Sequence, residues 1–336
     1  MRYWQRTVTV LALLTGFAAA QARAEEIKIG VSKLASCSPI AIALAKGYFK
    51  AEGLEPNLVF FDAQQPIAVA AVSGDVDFGI AAETAALYSL SGSGKLKVIG
   101  GGANEAPTFH YLSVLVSKSA YAAGFTSPKD FPGHTDALTQ MGTGLQYAMG
   151  QIAEVYKFDI STVKFLPLQS NANIASALAG GRADASIFSA QGALPLIEKG
   201  DVKLLGWVGD LTGFDQAYLL FVASKVADER PATVKHFLAA YRKGARDYFE
   251  AFTDKDNKRK DGPTAPAILD ILVKYLGQSP EMVRRGIPFF YPDGRVDAKE
   301  VQHQIDWYRS QGLIKEDVSA KQIIDARFAI EAPETH

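Results

Sequence analysis

Apolar and polar positions along the chain alternate first as a strand and then as a helix, and this order repeats. In EIKIGVS, polar or small residues separate Ile27, Ile29 and Val31, which predicts a strand. The next segment, SPIAIALAKGYFKAEGL, opens with Ser38 and Pro39, a pair typical of a helix start. Further strands are predicted in PNLVFFD, VDFGI and LKVIGGG, with helices in QPIAVAAVSG and AAETAALYSL. Strands that alternate with helices predict an α/β fold with a mainly parallel sheet.

One helix–turn–strand–helix pattern occurs twice. IAVAAVSGDVDFGIAAETAAL at 67–87 resembles NIASALAGGRADASIFSAQGAL at 173–194. Each copy has a glycine turn followed by an aspartate, Asp77 in the first and Asp184 in the second. The simplest interpretation is two lobes of related topology. The alternative is that helix–turn–strand units look alike in any α/β protein.

The chain is predicted to pass between the two lobes twice. A strong strand at 110–117 marks the first passage, and the apolar strand within QAYLLFVASK at 216–225 marks the return. The expected divisions are a first part of lobe 1 at 25–114, lobe 2 at 115–216, and a return to lobe 1 plus C-terminal helices at 217–336.

Residues 1–24 have the pattern of a secretory signal peptide. Arg2 and Arg6 precede an apolar run at 8–20, and the small residues around Arg23 fit cleavage after about Ala24. The run is short for a permanent span, and no other segment approaches the roughly 20 apolar residues that a span needs. We therefore expect an exported protein in the periplasm, with free secretion as the alternative.

Composition and motifs give little support to catalysis. The 35 basic and 36 acidic residues nearly balance, which does not suggest a nucleic-acid partner. The five histidines lack metal-ligand spacing, and no GxSxG segment is present. The single cysteine, Cys37, excludes an internal disulfide and has no base nearby in the sequence. We expect no enzyme, no catalytic residue, no metal and no cofactor.

Helix starts are the strongest candidate binding elements. In open α/β sheets, ligands bind beyond the carboxyl ends of the strands, where helix starts converge. Backbone N–H groups and short hydroxyls at such starts suit a carboxylate or a sulfonate. For each helix start taken by itself, the alternative is that the hydroxyl residue only caps the helix and binds no ligand. The candidate residues are Ser36, Cys37 and Ser38; Ala82, Glu83 and Thr84; Thr143 and Gly144; and Ser189 and Gln191.

Three further residues complete the candidate site. His110 can donate a hydrogen bond to an anion, and Phe214 belongs to a set of aromatic residues on which a flat ligand can stack. Asp215, like Glu83, is unfavourable beside an anion unless it meets an amino group. A zwitterionic or amine-bearing ligand therefore stays open. The full aromatic set is Phe109, His110, Tyr111, Phe188, Trp207, Phe214 and Tyr218.

With SPIAIALAKGYFKAEGL, VSGDVDFGI and LAGGRADASIF in place, the chain resembles the substrate-binding proteins of nitrate, sulfonate and taurine ABC importers. That family also includes pyrimidine-precursor binders and thiamine-pyrimidine synthases. The resemblance implies a type II periplasmic binding protein fold, in which two α/β lobes joined by two crossing segments close over one small solute. It implies ligand contacts at 36–38, 82–84, Thr143 and Gly144. It also implies a monomer that works with an ABC permease and its ATPase.

The leading hypothesis is a periplasmic binder of a small organic anion, a sulfonate or carboxylate, that closes about segments near 113–118 and 216–222. Alternatives are a binder of a neutral pyrimidine-like heterocycle and an enzyme similar to the thiamine-pyrimidine synthases. The enzyme needs lysine and histidine donors, whereas DAQQPIAVAAV offers glutamines. No arginine lies at the candidate starts, and GHTDALTQMGTG departs from the family pattern at the start of lobe 2.

Overall fold

The computed structural model describes residues 24–333, so residues 1–23 of the predicted signal peptide lie outside the described part of the chain. The strands are β1 (Glu25–Val31), β2 (Leu54–Phe60), β3 (Phe78–Ala82), β4 (Leu96–Gly101), β5 (Asn104–Glu105), β6 (Leu112–Ser117), β7 (Thr135–Leu138), β8 (Lys164–Pro167), β9 (Ala185–Ser189), β10 (Val202–Trp207), β11 (Asp215–Gln216) and β12 (Tyr218–Ala223). The α-helices are α1 (Ser38–Ala45), α2 (Tyr48–Ala51), α3 (Gln65–Ser73), α4 (Ala85–Gly92), α5 (Lys118–Ala122), α6 (Gly144–Tyr156), α7 (Asn171–Ala179), α8 (Ala190–Lys199), α9 (Val208–Thr212), α10 (Ser224–Glu229), α11 (Pro231–Phe252), α12 (Ala265–Leu276), α13 (Pro280–Arg285), α14 (Ala298–Ser310) and α15 (Ala320–Ile323).

Two five-stranded sheets share one topology. The first sheet has the order β2-β1-β3-β12-β4, and the second, in the corresponding direction, has the order β8-β7-β9-β6-β10. In each sheet four strands run the same way, and a single strand, β12 or β6, runs antiparallel to its neighbours. The predicted α/β fold with mainly parallel strands is confirmed.

The sequence repeat corresponds to equivalent places in the two sheets. Its first copy forms α3, β3 and the start of α4, and its second copy forms α7, β9 and the start of α8. The Asp77 carboxylate accepts a hydrogen bond from the Lys28 N–H of β1 at 2.7 Å. The Asp184 carboxylate accepts one from the Thr135 N–H of β7 at 2.8 Å. Each repeated aspartate thus links the strand that follows it, β3 or β9, to the neighbouring parallel strand, β1 or β7.

The chain crosses between the two sheets at different strands from those expected from the sequence. β6 and β12, which we expected to cross, are inner strands with partners on both sides. The chain instead passes through β5 and β11, which pair with each other at Glu105 and Asp215. The expected boundary at 114/115 therefore falls inside β6, whereas the expected boundary at 216/217 falls at the end of β11. Inner strands are continuously apolar, whereas the two short crossing strands are polar and give no hydrophobic signal.

Close packing of α1 against α11 covers one face of the first sheet. A Cβ atom at Gly244 of α11 would lie 2.2 Å from the carbonyl oxygen of Pro39, so only glycine permits this approach. The rings of Phe78 and Phe237 stack with their centroids 4.0 Å apart. Aromatic stacking and close helix contact therefore fix the C-terminal helices on the sheet that carries β1 and β3.

Strand β7 carries a buried carboxyl group, that of Asp136. Asp136 is 1% exposed, and neither carboxyl oxygen accepts a hydrogen bond of normal geometry from the described residues, although the Ile187 N–H lies near enough to favour the charged form. Burial raises the pKa of Asp136 well above its ordinary value. The folded state therefore holds a proton that the unfolded chain releases near pH 4. Its stabilising contribution is complete below that pH and is lost as the pH rises toward the folded-state pKa.

We expect Asp136→Asn to raise the free energy of unfolding at pH 7 by about 1–3 kcal/mol. The neutral amide removes the free-energy cost that the buried carboxyl group has at this pH, either of binding a proton or of being charged in the core. Urea unfolding at pH 5 and pH 8 checks this, and the gain over wild type should be larger at pH 8. Glu154→Gln, at an exposed position of α6, is the control and should change neither value. A gain that is independent of pH would contradict this account of Asp136.

Candidate functional site

A cleft of about 730 Å³, partly open to solvent, lies between the two sheets. Its lining comes from the carboxyl ends of β1, β2, β3, β7, β8 and β9, and from the amino ends of the antiparallel strands β6 and β12. The lining residues are Leu34, Asp62, Ala63, Gln64, Gln65, Ala82, Glu83, Thr84, Tyr111, Leu112, Thr139, Gln140, Thr143, Gly144, Leu145, Asn171, Phe188, Ser189, Ala217 and Tyr218.

The topology explains why the cleft lies there. Strands that run the same way end at one edge of a sheet, and an antiparallel neighbour begins at that edge. In both sheets this edge faces the cleft, so the loops and helix starts that follow the strands converge from two sides. This is the position at which open α/β sheets bind ligands.

Six of the thirteen residues predicted for the site line the cleft, namely Ala82, Glu83, Thr84, Thr143, Gly144 and Ser189. They belong to the starts of α4, α6 and α8, which the structure brings together. The Thr84 hydroxyl accepts the Leu87 N–H at 3.1 Å and so caps α4. The Ser189 side chain makes no capping hydrogen bond to α8. Its hydroxyl is therefore not engaged by its own helix.

The first predicted helix start lies behind the cleft. Ser36, Cys37 and Ser38 are fully buried, because a 3₁₀ turn at Ala35–Cys37 directs them into the core. The Ser38 hydroxyl donates to the Ala35 carbonyl at 2.6 Å, so it stabilises the turn. Burial raises the pKa of the Cys37 thiol, which makes it a poor nucleophile. At this start the cleft is lined by Leu34 instead.

The other predicted residues contact neighbouring elements and do not line the cleft. His110 stacks on Trp207 with centroids 4.6 Å apart, and burial lowers its pKa. Phe214 packs against aromatic residues, and the Gln191 amide donates to the Gly286 carbonyl. Asp215, on the crossing strand β11, accepts a hydrogen bond from Gln304 at 2.9 Å.

Several lining residues were missing from the predicted site. Asp62, Gln64 and Gln65 follow β2, Thr139 and Gln140 follow β7, and Asn171 follows β8. The same rule that selected the helix starts, a polar residue directly after a parallel strand, also selects the group after β2. Asn171 is harder to find because β8 is short and ends at a proline. Tyr111, Phe188 and Tyr218 belong to the aromatic set and do line the cleft.

Glu83 contributes a buried carboxyl group to the lining of the cleft. It is 2% exposed, lines the cleft, and its Oε2 atom has no hydrogen-bonding partner among the described residues. A Cβ atom at Gly144 would lie 2.8 Å from Glu83 Oε1, so glycine lets the start of α6 approach the carboxyl group. The positive end of α6, which we expected to hold an anionic ligand, already faces a carboxyl group of the protein.

Further carboxyl groups lie behind Glu83. Burial raises the pKa of Glu83 well above its ordinary value, and the neighbouring Asp215 carboxyl raises it further. The pKa of Asp215 is raised in turn by burial and by Glu300 on α14. On the other crossing strand, burial raises the pKa of Glu105 to about 8. The region behind the cleft therefore disfavours any additional negative charge.

The two sides of the cleft already touch. The Ala85 N–H of α4 donates to the Gly142 carbonyl at 3.0 Å, and the Gln65 amide donates to the Met141 carbonyl at 3.2 Å. Further back, the Tyr147 hydroxyl of α6 donates to Glu300 of α14 at 2.7 Å. In this structure, the second sheet and its helices therefore contact the first sheet and its helices directly.

Neither a metal site nor a membrane-spanning helix is found in the described residues 24–333. No group of three or more histidine, cysteine, aspartate or glutamate side chains in that range is arranged to hold a metal ion. Among the helices of the same range, none combines the length and hydrophobicity that a membrane crossing requires.

Known structures share this fold, and two of them are described as binding proteins. The alkanesulfonate-binding protein SsuA from Xanthomonas axonopodis pv. citri, bound to MOPS, is 19% identical, with a TM-score of 0.70 over 89% of this chain and 98% of that one. The periplasmic nitrate-binding protein NrtA from Synechocystis PCC 6803 is 11% identical, with a TM-score of 0.68 over 90% and 86%. The Candida albicans CA3427 product, described as having the generic periplasmic binding protein fold, is 14% identical, with a TM-score of 0.67 over 91% and 98%.

One of two sequence comparisons identifies the family of the chain. A comparison with curated proteins finds no match. The family model described as NMT1/THI5 like matches residues 35–251, which is well over half of the chain. The resemblance seen in the sequence and the periplasmic binding protein fold are both confirmed. The chain belongs to the NMT1/THI5-like family.

Proposed function

We propose that this protein is the periplasmic solute-binding component of an ABC importer, which captures a small organic solute in the cleft and delivers it to a permease and its ATPase. The observation that carries the proposal is the cleft itself, lined from both sheets at the edges where their parallel strands end. The similarity to SsuA and NrtA, which are both described as binding proteins, supports it. As in the family expectation, the protein acts as an exported monomer.

The mechanism is closure of two lobes about the crossing strands. A solute that contacts the ends of β3 and β9 together stabilises the closed arrangement over an open one. The paired crossing strands β5 and β11 are two residues each, so a small change in their backbone angles moves one sheet relative to the other. No bond is made or broken in the solute.

The lining argues for a solute without net negative charge. Its residues include two carboxyl groups, Asp62 and Glu83, and no lysine, arginine or histidine among the described residues. The rings of Tyr111, Phe188 and Tyr218 offer contact area for an aromatic or apolar part. We therefore propose a neutral or amine-bearing organic solute in place of the organic anion that the helix starts alone suggested. The absence of lysine and histidine from this lining also counts against the synthase-like enzyme.

Thermal unfolding of the purified mature protein against a solute panel tests the function. The panel contains sulfonates, carboxylates, nitrate, amino acids, amines and pyrimidines, each at about 1 mM. A ligand that binds only the folded state at 100 times its Kd adds about 2.7 kcal/mol and raises the unfolding midpoint. We expect a shift with at least one neutral or amine-bearing compound. If no compound shifts the midpoint and native mass spectrometry finds no co-purified solute, the proposal fails.

A further inference from the structure

Two cleft-lining oxygen atoms lack any hydrogen-bonding partner in the described chain. They are Oε2 of Glu83 and Oε1 of Gln64, and both are buried. A buried polar atom without a hydrogen bond destabilises the protein by about 1–3 kcal/mol. A solute that donates a hydrogen bond to both atoms removes this cost, which makes its binding more favourable. Once Glu83 is ionised, both of its carboxylate oxygens are acceptors, so the charged form in particular needs a donor.

The charges around the two atoms select the kind of donor. Asp62 adds a second carboxyl to the lining, and no basic side chain of the described lining balances it. The titratable groups that interact with Glu83 are Asp215 on β11, Glu105 on β5, Glu300 and Tyr308 on α14, Tyr88 on α4, Tyr147 on α6 and Tyr218 on β12. None of these groups is a cation, so a positive charge placed at Glu83 is attracted and a negative one is repelled.

Resting on the proposed function, we propose that the solute carries an ammonium or amidinium group whose N–H bonds donate to Glu83 and Gln64. The apolar part of the same solute lies against the aromatic rings of the cleft. Without solute, Glu83 holds a proton because burial and Asp215 raise its pKa. A cation displaces that proton, so binding becomes tighter as the pH rises.

Three probes of nearly one shape and three charges test the proposal: benzamidinium, benzamide and benzoate. Calorimetry at pH 7 should give benzamidinium a Kd at least about 10-fold below that of benzoate, which corresponds to 1.4 kcal/mol. Benzamide should lie between them. Between pH 6 and pH 8 the affinity for benzamidinium should increase. Tighter binding of benzoate than of benzamidinium would overturn the proposal.

Variants assign the effect to the two oxygen atoms. Glu83→Gln should weaken benzamidinium binding at least about 10-fold and remove its pH dependence. Asp136→Asn is the matched control, because it replaces a buried carboxyl group outside the cleft lining by an amide, and it should retain both properties. Gln64→Glu, at a half-buried position, should tighten benzamidinium binding even if Glu83→Gln does not fold.

The outcomes separate this inference from the function on which it rests. If benzamidinium does not bind while another compound of the broad panel does, the cationic group is wrong and solute binding stands. If Glu83→Gln folds and binds benzamidinium as wild type does, Glu83 is not the acceptor. If neither the probes nor any panel compound binds, both the inference and the proposed function fall.

Discussion

Oxidised protein that carries both Ala85→Cys and Gly142→Cys is expected to bind solute at least about 100-fold more slowly than wild type, and reduction should restore binding. The two positions face each other across the cleft, where the Ala85 N–H donates to the Gly142 carbonyl at 3.0 Å. A Cβ atom at Gly142 would lie 3.2 Å from that of Ala85, slightly nearer than the roughly 3.5–4.5 Å of a disulfide. The new bond therefore prevents the two sides of the cleft from separating, and we expect this to hinder the entry of a solute.

The chain suits this experiment. Its single natural cysteine, Cys37, is fully buried and does not compete for oxidation. Gly142 has a φ of 76°, so a cysteine there costs roughly 1–2 kcal/mol of backbone strain, and circular dichroism should confirm that the variant folds. Each single-cysteine variant is a control and should bind at the wild-type rate in both redox states. Equal association rates for the oxidised and reduced double variant would show that solute enters without separation of Ala85 from Gly142.

Short sequence patterns predicted the strands and helices well, because the formation of a strand or helix depends largely on residues that are close together in the sequence. The alternation in EIKIGVS gives β1, and the repeated Gly-turn-Asp pattern identifies equivalent strands in two sheets. The crossing was misplaced because continuous apolar character marks burial on both faces, and β6 and β12 are inner strands. The polar strands β5 and β11 are two residues long, and pairing across 110 residues of chain leaves no periodic signal.

The position of the cleft was predictable from the sequence, but the charge of its lining was not. Thr84, Thr143 and Ser189 follow parallel strands, and that rule depends only on strand order. The rule failed at Ser38, where a 3₁₀ turn inserts before the helix and directs the hydroxyl inward. The sequence also favours an anion at each helix start taken alone. Only the fold brings Glu83 against the start of α6, and this contact changes the expected solute from anion to cation or neutral molecule.

Ser189→Trp is expected to weaken binding of any solute found in the panel at least about 100-fold, a loss of about 2.7 kcal/mol. Ser189 lines the cleft at the end of β9, and its side chain does not cap α8, so the substitution removes no hydrogen bond that the helix needs. The indole fills space that the solute would occupy and also separates the second sheet from the first. Calorimetry against the best panel compound measures the loss.

The matched control is Ser161→Trp, an exposed serine of the 3₁₀ turn at Ile160–Thr162, next to β8 of the same sheet. It introduces the same side chain outside the cleft and should leave Kd within about 2-fold of wild type, because exposed substitutions rarely exceed ±0.5 kcal/mol. Both variants should have unfolding midpoints close to wild type in the absence of solute. If Ser189→Trp folds and retains wild-type affinity, the solute binds outside the cleft, and the assignment of the lining residues fails even if solute binding itself stands. If both variants lose affinity equally, the loss reflects a general effect of tryptophan on the second sheet rather than occupation of the cleft.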